Sequence, residues 1–166
     1  MKIRLTTSLG EILLELDRDK APLTVENFVA YVESGHYEGT IFHRVIDHFM
    51  IQGGGLDSEM VTRSTNAPIR NEANNGLSNV LGSIAMARTG DPHSASAQFF
   101  INTSDNSFLD FRAETEDGWG YCVFGKVVEG MDTVEKIEET PTTRRNSYQD
   151  VPEQVILIEK ATVVDG

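Results

Sequence analysis

Eight short runs with the character of β-strands recur along this chain of 166 residues, and no other feature constrains its fold as strongly. The runs are mostly apolar or alternate apolar with polar residues, and Gly, Asn, Ser and Pro separate them, as expected for strands joined by turns. The predicted strands are residues 2–6, 11–16, 41–46, 49–52, 82–87, 98–103, 122–128 and 155–164. The chain is therefore predicted to be mainly β, with an opening hairpin formed by the first two strands.

Two stretches have the spacing of amphipathic helices instead. In the first, apolar residues recur at i, i+3, i+4 and i+7, namely Val25, Phe28, Val29 and Val32. Thr24 is predicted to cap its N-terminus and Gly35 to stop it. The second helix is predicted over residues 131–137, and residues 140–150 are predicted to form an exposed loop. Eight strands with two helices and long connections indicate a closed barrel, which leaves no exposed sheet edge.

Length, composition and charge favour one compact soluble domain over residues 1–166. Acidic residues outnumber basic residues by 26 to 14, and the net charge of -12 argues against nucleic acid as a partner. The N-terminal stretch becomes polar at Thr6, so neither a signal peptide nor a membrane span is predicted, and we expect a cytoplasmic protein. Because neither a heptad pattern nor a long apolar edge is apparent, we expect a monomer.

Several residues that would signal other chemistry lack the required context. Cys122 is the only cysteine and lies in an apolar run, which indicates a buried structural thiol rather than a nucleophile. Residues 53–55 are glycines without the Lys-Ser/Thr of a phosphate loop, and we interpret them as a flexible strand exit. Asn102 matches a glycosylation sequon but continues a strand-like run. No metal site is predicted, because the His-Glu-x-x-His spacing is absent around His36, His43, His48 and His93.

Arg44 is the first residue whose position calls for a function, because this permanent cation lies in an otherwise apolar run. A guanidinium carries five donors in a rigid fork and costs stability in apolar surroundings unless it is paired. This run alone leaves two interpretations open. Arg44 either only stabilises the fold through a paired guanidinium, or it acts in a functional site. Other segments supply apolar and amide side chains for such a site, namely Phe49, Met50, Gln52, Met86, Gln98, Phe99, Phe100, Phe108, Leu109 and Tyr121.

Five segments, taken together and in order, carry a family signature. They read FHRVI at 42–46, FMIQGG at 49–54, GSIAMA at 82–87, SAQFFI at 96–101 and VFGKV at 123–127. In this order they resemble the cyclophilin-type peptidyl-prolyl cis/trans isomerases, over nearly the whole chain, and the lack of extensions favours the small bacterial cytoplasmic branch. The resemblance implies an eight-stranded antiparallel β-barrel capped by two α-helices, with a proline pocket on its outer wall and no cofactor or metal.

The resemblance also implies a role for each matching residue. Arg44 matches the catalytic arginine, Gln52 the amide beside it, and Gln98 the amide that helps to hold substrate and arginine. Ala87 and Arg88 match the edge on which the substrate backbone is gripped as an added strand. The walls of the hydrophobic proline pocket are matched by Phe49, Met50, Phe100 and Leu109.

Three positions depart from the pattern of many relatives. Arg88 stands where many have asparagine, although a main-chain contact there would not need the side chain. Phe108 replaces a tryptophan and Tyr121 a histidine common in eukaryotic members, and both keep an aromatic in the predicted pocket. Because phenylalanine offers no N–H donor, the binding of cyclosporin-type inhibitors is predicted to be weak.

The implied function is catalysis of rotation about X-Pro bonds in proline-containing peptides and in unfolded or folding proteins. Two alternatives remain open at this level. The same groove in a binding module or holdase would recognise proline segments without catalysis, although such a module could dispense with Arg44 and Gln52. A purely structural barrel would leave Arg44 without an explanation.

Overall fold

The computed structural model describes residues 1–164 and shows a closed eight-stranded antiparallel barrel with two helices, which confirms the predicted fold class. The order of strands around the barrel is β1-β10-β3-β4-β6-β5-β7-β2, and β8 and β9 form a separate two-stranded sheet. The strands are β1 Lys2–Thr7, β2 Gly10–Leu16, β3 Thr40–Ile46, β4 Met50–Asp57, β5 Ser83–Met86, β6 Phe99–Asn102, β7 Val123–Glu129, β8 Thr142–Arg145, β9 Tyr148–Pro152 and β10 Leu157–Val164. The helices are α1 Pro22–Glu33 and α2 Met131–Glu138, with short 3-10 turns at Ala73–Asn75 and Ser107–Leu109.

The barrel wall has an apolar cluster on each face. Phe99 and Ile101 of β6 belong to the large cluster that fills the barrel, whereas Phe100 between them belongs to a smaller cluster on the outer face. This division follows from strand geometry, since successive side chains point to opposite faces. Met50 of β4, Ala85 of β5 and Val123 of β7 complete the outer cluster, which therefore spans four strands.

Helix α1 closes one side of the core through Phe28, whose ring packs against Phe99 and Phe124 with centroids 5.6 and 5.1 Å apart. The prediction that Thr24 caps this helix is wrong. The helix begins at Pro22, and the main-chain N–H of Thr24 donates to the Glu72 carboxylate at 2.8 Å. A carboxylate 48 residues away in sequence thus supplies the cap that Thr24 was predicted to supply.

The segment predicted as a loop over residues 140–150 instead contains most of the β8–β9 hairpin. Its second strand is anchored by Val151, which is buried in a small cluster with Ile41 and Leu56. The strand β8 is almost wholly exposed, so it lacks the apolar alternation that reveals a strand in sequence. The prediction of a loop is therefore wrong.

The glycines at 53–55 lie inside β4 and are not a flexible strand exit as predicted. A Cβ atom at Gly53 would lie 2.6 Å from the carbonyl oxygen of Ile41, and one at Gly55 would overlap the side chain of Gln98. Gly54 has a φ of +89°, a conformation that residues with a Cβ rarely adopt. Close approach of neighbouring groups, rather than flexibility, explains these glycines.

Cys122 lies just before β7 and is buried, which confirms the prediction of a structural thiol. Burial raises its pKa to about 11, so the thiol stays protonated and is a poor nucleophile near neutral pH.

Within residues 1–164, no helix combines the length and the apolar character that crossing a membrane requires.

Substitution of Gly130 by Ala is expected to lower the free energy of unfolding by about 2 kcal/mol or more. Gly130 precedes α2 with a φ of +94°, and its Cβ would overlap the carbonyl oxygen of Glu11. Gly76→Ala is the matched control, because Gly76 has a φ of +84° but open space around the Cβ position. Urea unfolding of both variants should show the larger loss at Gly130, and equal losses would contradict the steric explanation.

Candidate active site

A groove of about 580 Å³ lies on the outer wall of the barrel. It runs over the outward faces of β3, β4 and β6 and past the end of β5, and the β8–β9 hairpin forms one of its sides. Met86 and Phe99, two of the candidates named from the sequence, belong to the cluster that fills the barrel and do not line the groove. Of the residues to which the resemblance gives a role, all but one line it, namely Arg44, Phe49, Met50, Gln52, Ala87, Arg88, Gln98, Phe100, Leu109 and Tyr121. The exception is Phe108.

A bulge in β3 sets the position of Arg44. Phe42 pairs with Gly53 and Arg44 pairs with Gln52, so His43 is an extra residue opposite two consecutive residues of β4. Such a bulge bends a strand and changes the direction of the side chains that follow it. Arg44 is half-buried on the groove, and within residues 1–164 it takes part in no ion pair. The interpretation of Arg44 as a structural ion-pair partner is thus not supported.

Arg44 begins a short chain of side-chain hydrogen bonds. Its guanidinium donates to the Gln52 amide oxygen at 3.2 Å, and the Gln52 amide nitrogen donates to the Gln98 amide oxygen at 3.0 Å. Gly55 leaves the space that the Gln98 side chain occupies. One guanidinium nitrogen is therefore held by neutral amides while the positive charge stays uncompensated beside the groove.

Members of the outer cluster form the apolar part of the groove. Met50 and Phe100 are almost fully buried at its floor, and Phe100 packs edge-on against the ring of Tyr121 at 5.7 Å. Phe49 and Leu109 pack against the same cluster. These side chains form a concave apolar surface directly beside the Arg44 guanidinium.

Phe108 does not line the groove, in contrast to the prediction. Its side chain is 66% exposed and stacks on the outer side of Phe49, with ring centroids 5.9 Å apart. It lies in the 3-10 turn that places Leu109 against the cluster, so neighbouring residues of one turn point in different directions. Sequence order alone did not reveal this division.

Main chain and side chain of Arg88 serve different purposes. Neither its main-chain N–H nor its C=O has a partner among the hydrogen bonds of residues 1–164, which leaves an open strand edge. The side chain donates to the carbonyl oxygens of Gly120 and Thr89 at 2.9 and 2.8 Å, and its guanidinium lies 4.6 Å from the centre of the Tyr121 ring. The side chain thus fixes the aromatic wall of the groove.

A buried network of asparagines supports the apolar walls, and sequence reasoning missed it. Asn106 donates to the carbonyl oxygen of Phe49 at 2.9 Å, and its own carbonyl oxygen accepts a bond from the N–H of Leu109. Asn102 bridges Asn106 to Asn79 through bonds of 2.8 and 3.0 Å. The available signal was the polar run at residues 102–107, which lies between the apolar residues 99–101 and 108–109.

His43 and the hairpin residues Ser147, Tyr148, Gln149 and Asp150 also line the groove and were not predicted. His43 is buried with its Nδ1 atom unpartnered, and its ring packs edge-on against Tyr148 at 5.8 Å. Burial, with a smaller contribution from the Arg44 charge, lowers the pKa of His43 to about 4. The residue beside Arg44 is therefore neutral near pH 7.

Among residues 1–164, one group of metal-ligating side chains is present, away from the groove. The ligand atoms of Asp47, His48 and Glu138 lie within 4.8 Å of one another. Glu138 already accepts a bond from the main-chain N–H of His48 at 2.8 Å, which is an ordinary contact between a surface turn and a helix end. We assign no metal to it.

Comparison with known proteins identifies this architecture. The model of the family "Cyclophilin type peptidyl-prolyl cis-trans isomerase/CLD" matches residues 2–163. The chain belongs to this family. The resemblance noted in the sequence is thereby confirmed, and the protein is a cyclophilin-type peptidyl-prolyl cis-trans isomerase.

Relatives of this cyclophilin include bacterial enzymes that match it over nearly their whole length. It is 57% identical to peptidyl-prolyl cis-trans isomerase cyp18 of Streptomyces antibioticus, over 98% of both chains. It is 55% identical to peptidyl-prolyl cis-trans isomerase B of Escherichia coli, over 95% of this chain and 96% of that one. A Cryptosporidium parvum cyclophilin, crystallised in the presence of the dipeptide ala-pro, matches all of both chains at 27% identity with a TM-score of 0.82.

The stability of this cyclophilin is expected to fall between pH 6.5 and pH 4 because of His43. Its pKa is about 4 in the folded state against the ordinary value of 6.5 for a histidine, so the unfolded state binds the additional proton in this window. Between pH 7 and pH 4.5 the loss from this residue should be about 2 to 3 kcal/mol.

The measurement is urea unfolding at both pH values for the native protein and His43→Phe, which cannot titrate at this position. The difference between the two pH values should be smaller in the variant. Equal pH dependence of both proteins would show that His43 does not contribute.

Proposed function

We propose that the groove is the active site and that Arg44 is its catalytic residue. A peptide with an X-Pro bond would place the proline ring on Met50, Phe100 and Leu109, with Phe49 and Tyr121 at the sides. The observation that carries this proposal is the position of a half-buried guanidinium, without an ion pair to any residue of 1–164, directly beside a concave apolar surface. The Ala-Pro dipeptide used with the Cryptosporidium relative supports a proline-containing ligand.

The chemistry needs no covalent intermediate, because only rotation about the peptide bond is required. Resonance makes this rotation slow, with a barrier of about 18 to 20 kcal/mol. In the twisted transition state the prolyl nitrogen regains a lone pair that the planar amide delocalises. A donor directed at that nitrogen therefore binds the transition state more strongly than the ground state. The guanidinium nitrogens of Arg44 that Gln52 leaves free are the proposed donors.

A turnover of about 10³ per second from a spontaneous rate of about 10⁻² per second requires a barrier lower by about 7 kcal/mol. One preorganised donor typically supplies about 3 to 4 kcal/mol of such stabilisation. The remainder is assigned to the apolar surface, which holds the proline ring and excludes water from the dipolar planar amide. Gln52 and Gln98 contribute by holding Arg44, since their bonds fix it before the substrate arrives.

Substrate backbone is proposed to pair as an added strand with the edge at Ala87 and Arg88. The main-chain N–H of Ala87 already donates to the carbonyl oxygen of Gln98 at 3.0 Å, so the main-chain N–H and C=O of Arg88 are the proposed partners of the substrate. In this proposal the Arg88 side chain does not touch the substrate and acts through Tyr121. The clients are proline-containing segments of unfolded or folding proteins. We further propose a single-domain monomer in the cytoplasm, in line with the lone buried Cys122.

Arg44→Ala is expected to lower kcat/KM for a short X-Pro peptide by about 10²- to 10³-fold, because it removes the preorganised donor. The apolar surface is unchanged, so binding of the same peptide, measured by titration, should weaken far less. Arg18→Ala is the control, since Arg18 is exposed and does not line the groove. Normal turnover by a folded Arg44→Ala protein would refute the proposed role, and a native protein that binds the peptide without accelerating its isomerisation would point to a binding module.

Inhibition by cyclosporin-type compounds is expected to be weak, and Phe108→Trp is expected to strengthen it. The exposed Phe108 ring offers contact area but no hydrogen-bond donor, which an indole N–H would add. The measurement is a titration of isomerase activity with the inhibitor for both proteins. Equal inhibition constants would contradict the assignment of the weak binding to Phe108.

A further inference from the structure

The β8–β9 hairpin forms a side of the groove that none of the roles assigned so far uses. It packs beside β3, where the ring of Tyr148 contacts His43, and Ser147, Gln149 and Asp150 also line the groove. The hairpin therefore borders the path of any peptide that crosses Arg44. The hairpin side chains that line the groove are polar, and Asp150 is the one charged group among them, whereas Arg144 and Arg145 of β8 do not line it.

The backbone holds Asp150 in a defined place. Thr143 pairs with Val151 and Arg145 pairs with Tyr148, so Gln149 and Asp150 form a bulge opposite Arg144. Asp150 takes a φ of +59°, and the next residue, Val151, is 1% exposed in its apolar cluster. A bulge anchored by a buried neighbour fixes where the carboxylate is presented.

Among residues 1–164, Asp150 is the only carboxylate that lines the groove. Within residues 1–164 its side chain takes part in no ion pair and in no side-chain hydrogen bond, and it is half-buried. Arg44 and Arg88, the arginines that line the groove, do have hydrogen-bond partners. Arg44 donates to Gln52, and Arg88 donates to two carbonyl oxygens. A carboxylate carried on a fixed backbone position, with all its acceptor sites available, attracts a cationic group of the substrate.

The order of strands gives the side of the substrate that meets Asp150. Around the barrel the groove crosses β3, β4, β6 and β5 in this order, with the hairpin next to β3 and Ala87 next to β5. If the residues before the proline pair with the Ala87 edge, as in the proposed function on which this step rests, the residues after it pass the hairpin. We propose that Asp150 makes this cyclophilin select substrates with Lys or Arg directly after the proline.

The test uses peptides that are identical except for Lys, Ala or Glu directly after the proline. At low ionic strength, kcat/KM of the native protein should be about five-fold higher for Lys than for Glu, as expected for one partly exposed ion pair. In Asp150→Asn the ratio should fall towards one, and in Asp150→Lys it should invert. Asparagine tolerates the left-handed backbone at this position, so the first variant is expected to fold.

Two controls separate this charge effect from a general loss of structure. Glu153→Gln removes an exposed charge that lies directly after β9 and does not line the groove, and it should keep the native ratio. High salt should reduce the native ratio, because screening weakens a partly exposed pair. In a second pair of peptides, Lys or Glu stands directly before the proline. The ratio of kcat/KM between these two peptides should be the same for the native protein and for Asp150→Asn.

A native ratio near one, or a ratio that Asp150→Asn leaves unchanged, would overturn the proposal. The proposal would also be overturned if Asp150→Asn changed the Lys-to-Glu ratio of kcat/KM only for the residue before the proline. The Ala peptide distinguishes these failures from failure of the proposed function. If Arg44→Ala loses turnover of the Ala peptide, the proposed active site is supported. If Asp150→Asn in the same experiment keeps the native Lys-to-Glu ratio, only the role of Asp150 is rejected.

Discussion

The two-residue period of the strands ties the groove to the barrel core. Phe100 faces the groove while Phe99 and Ile101, its neighbours in β6, are fully buried inside the barrel. Met50 and Gln52 flank Ile51 in the same way on β4. Because a core side chain has little freedom to move in a close-packed interior, the groove residue between two such side chains has little freedom either. Close packing of the barrel core therefore makes the site rigid.

Neutral hydrogen bonds rather than ion pairs hold the polar part of the site. Amides fix Arg44 on the strand side, and the asparagine network fixes Phe49 and Leu109 on the loop side. A carboxylate partner would neutralise the guanidinium, whereas an amide orients it and leaves its charge available. This choice of partner is what separates a cation that can act on a substrate from one that only stabilises the fold.

Features with local sequence signals were predictable, and features made by distant contacts were not. Strands with apolar alternation and the helix at residues 131–137 were predicted close to their observed bounds, and family motifs located most of the groove. The cap supplied by Glu72, the hairpin anchored by Val151 and the outward turn of Phe108 all depend on tertiary neighbours. Propensity carries no information on such neighbours, so these three predictions failed for one reason.

The separation of the β8–β9 hairpin from the barrel sheet has a consequence for protein engineering. The floor of the groove cannot be rebuilt freely, since the glycines of β4 exclude any side chain and the outer cluster is continuous with buried strands. The hairpin, by contrast, pairs with no barrel strand in the part of the chain that the structure describes. A combinatorial library confined to its tip would sample new recognition surfaces while leaving the catalytic scaffold intact, which makes this short segment the natural place to retarget the enzyme.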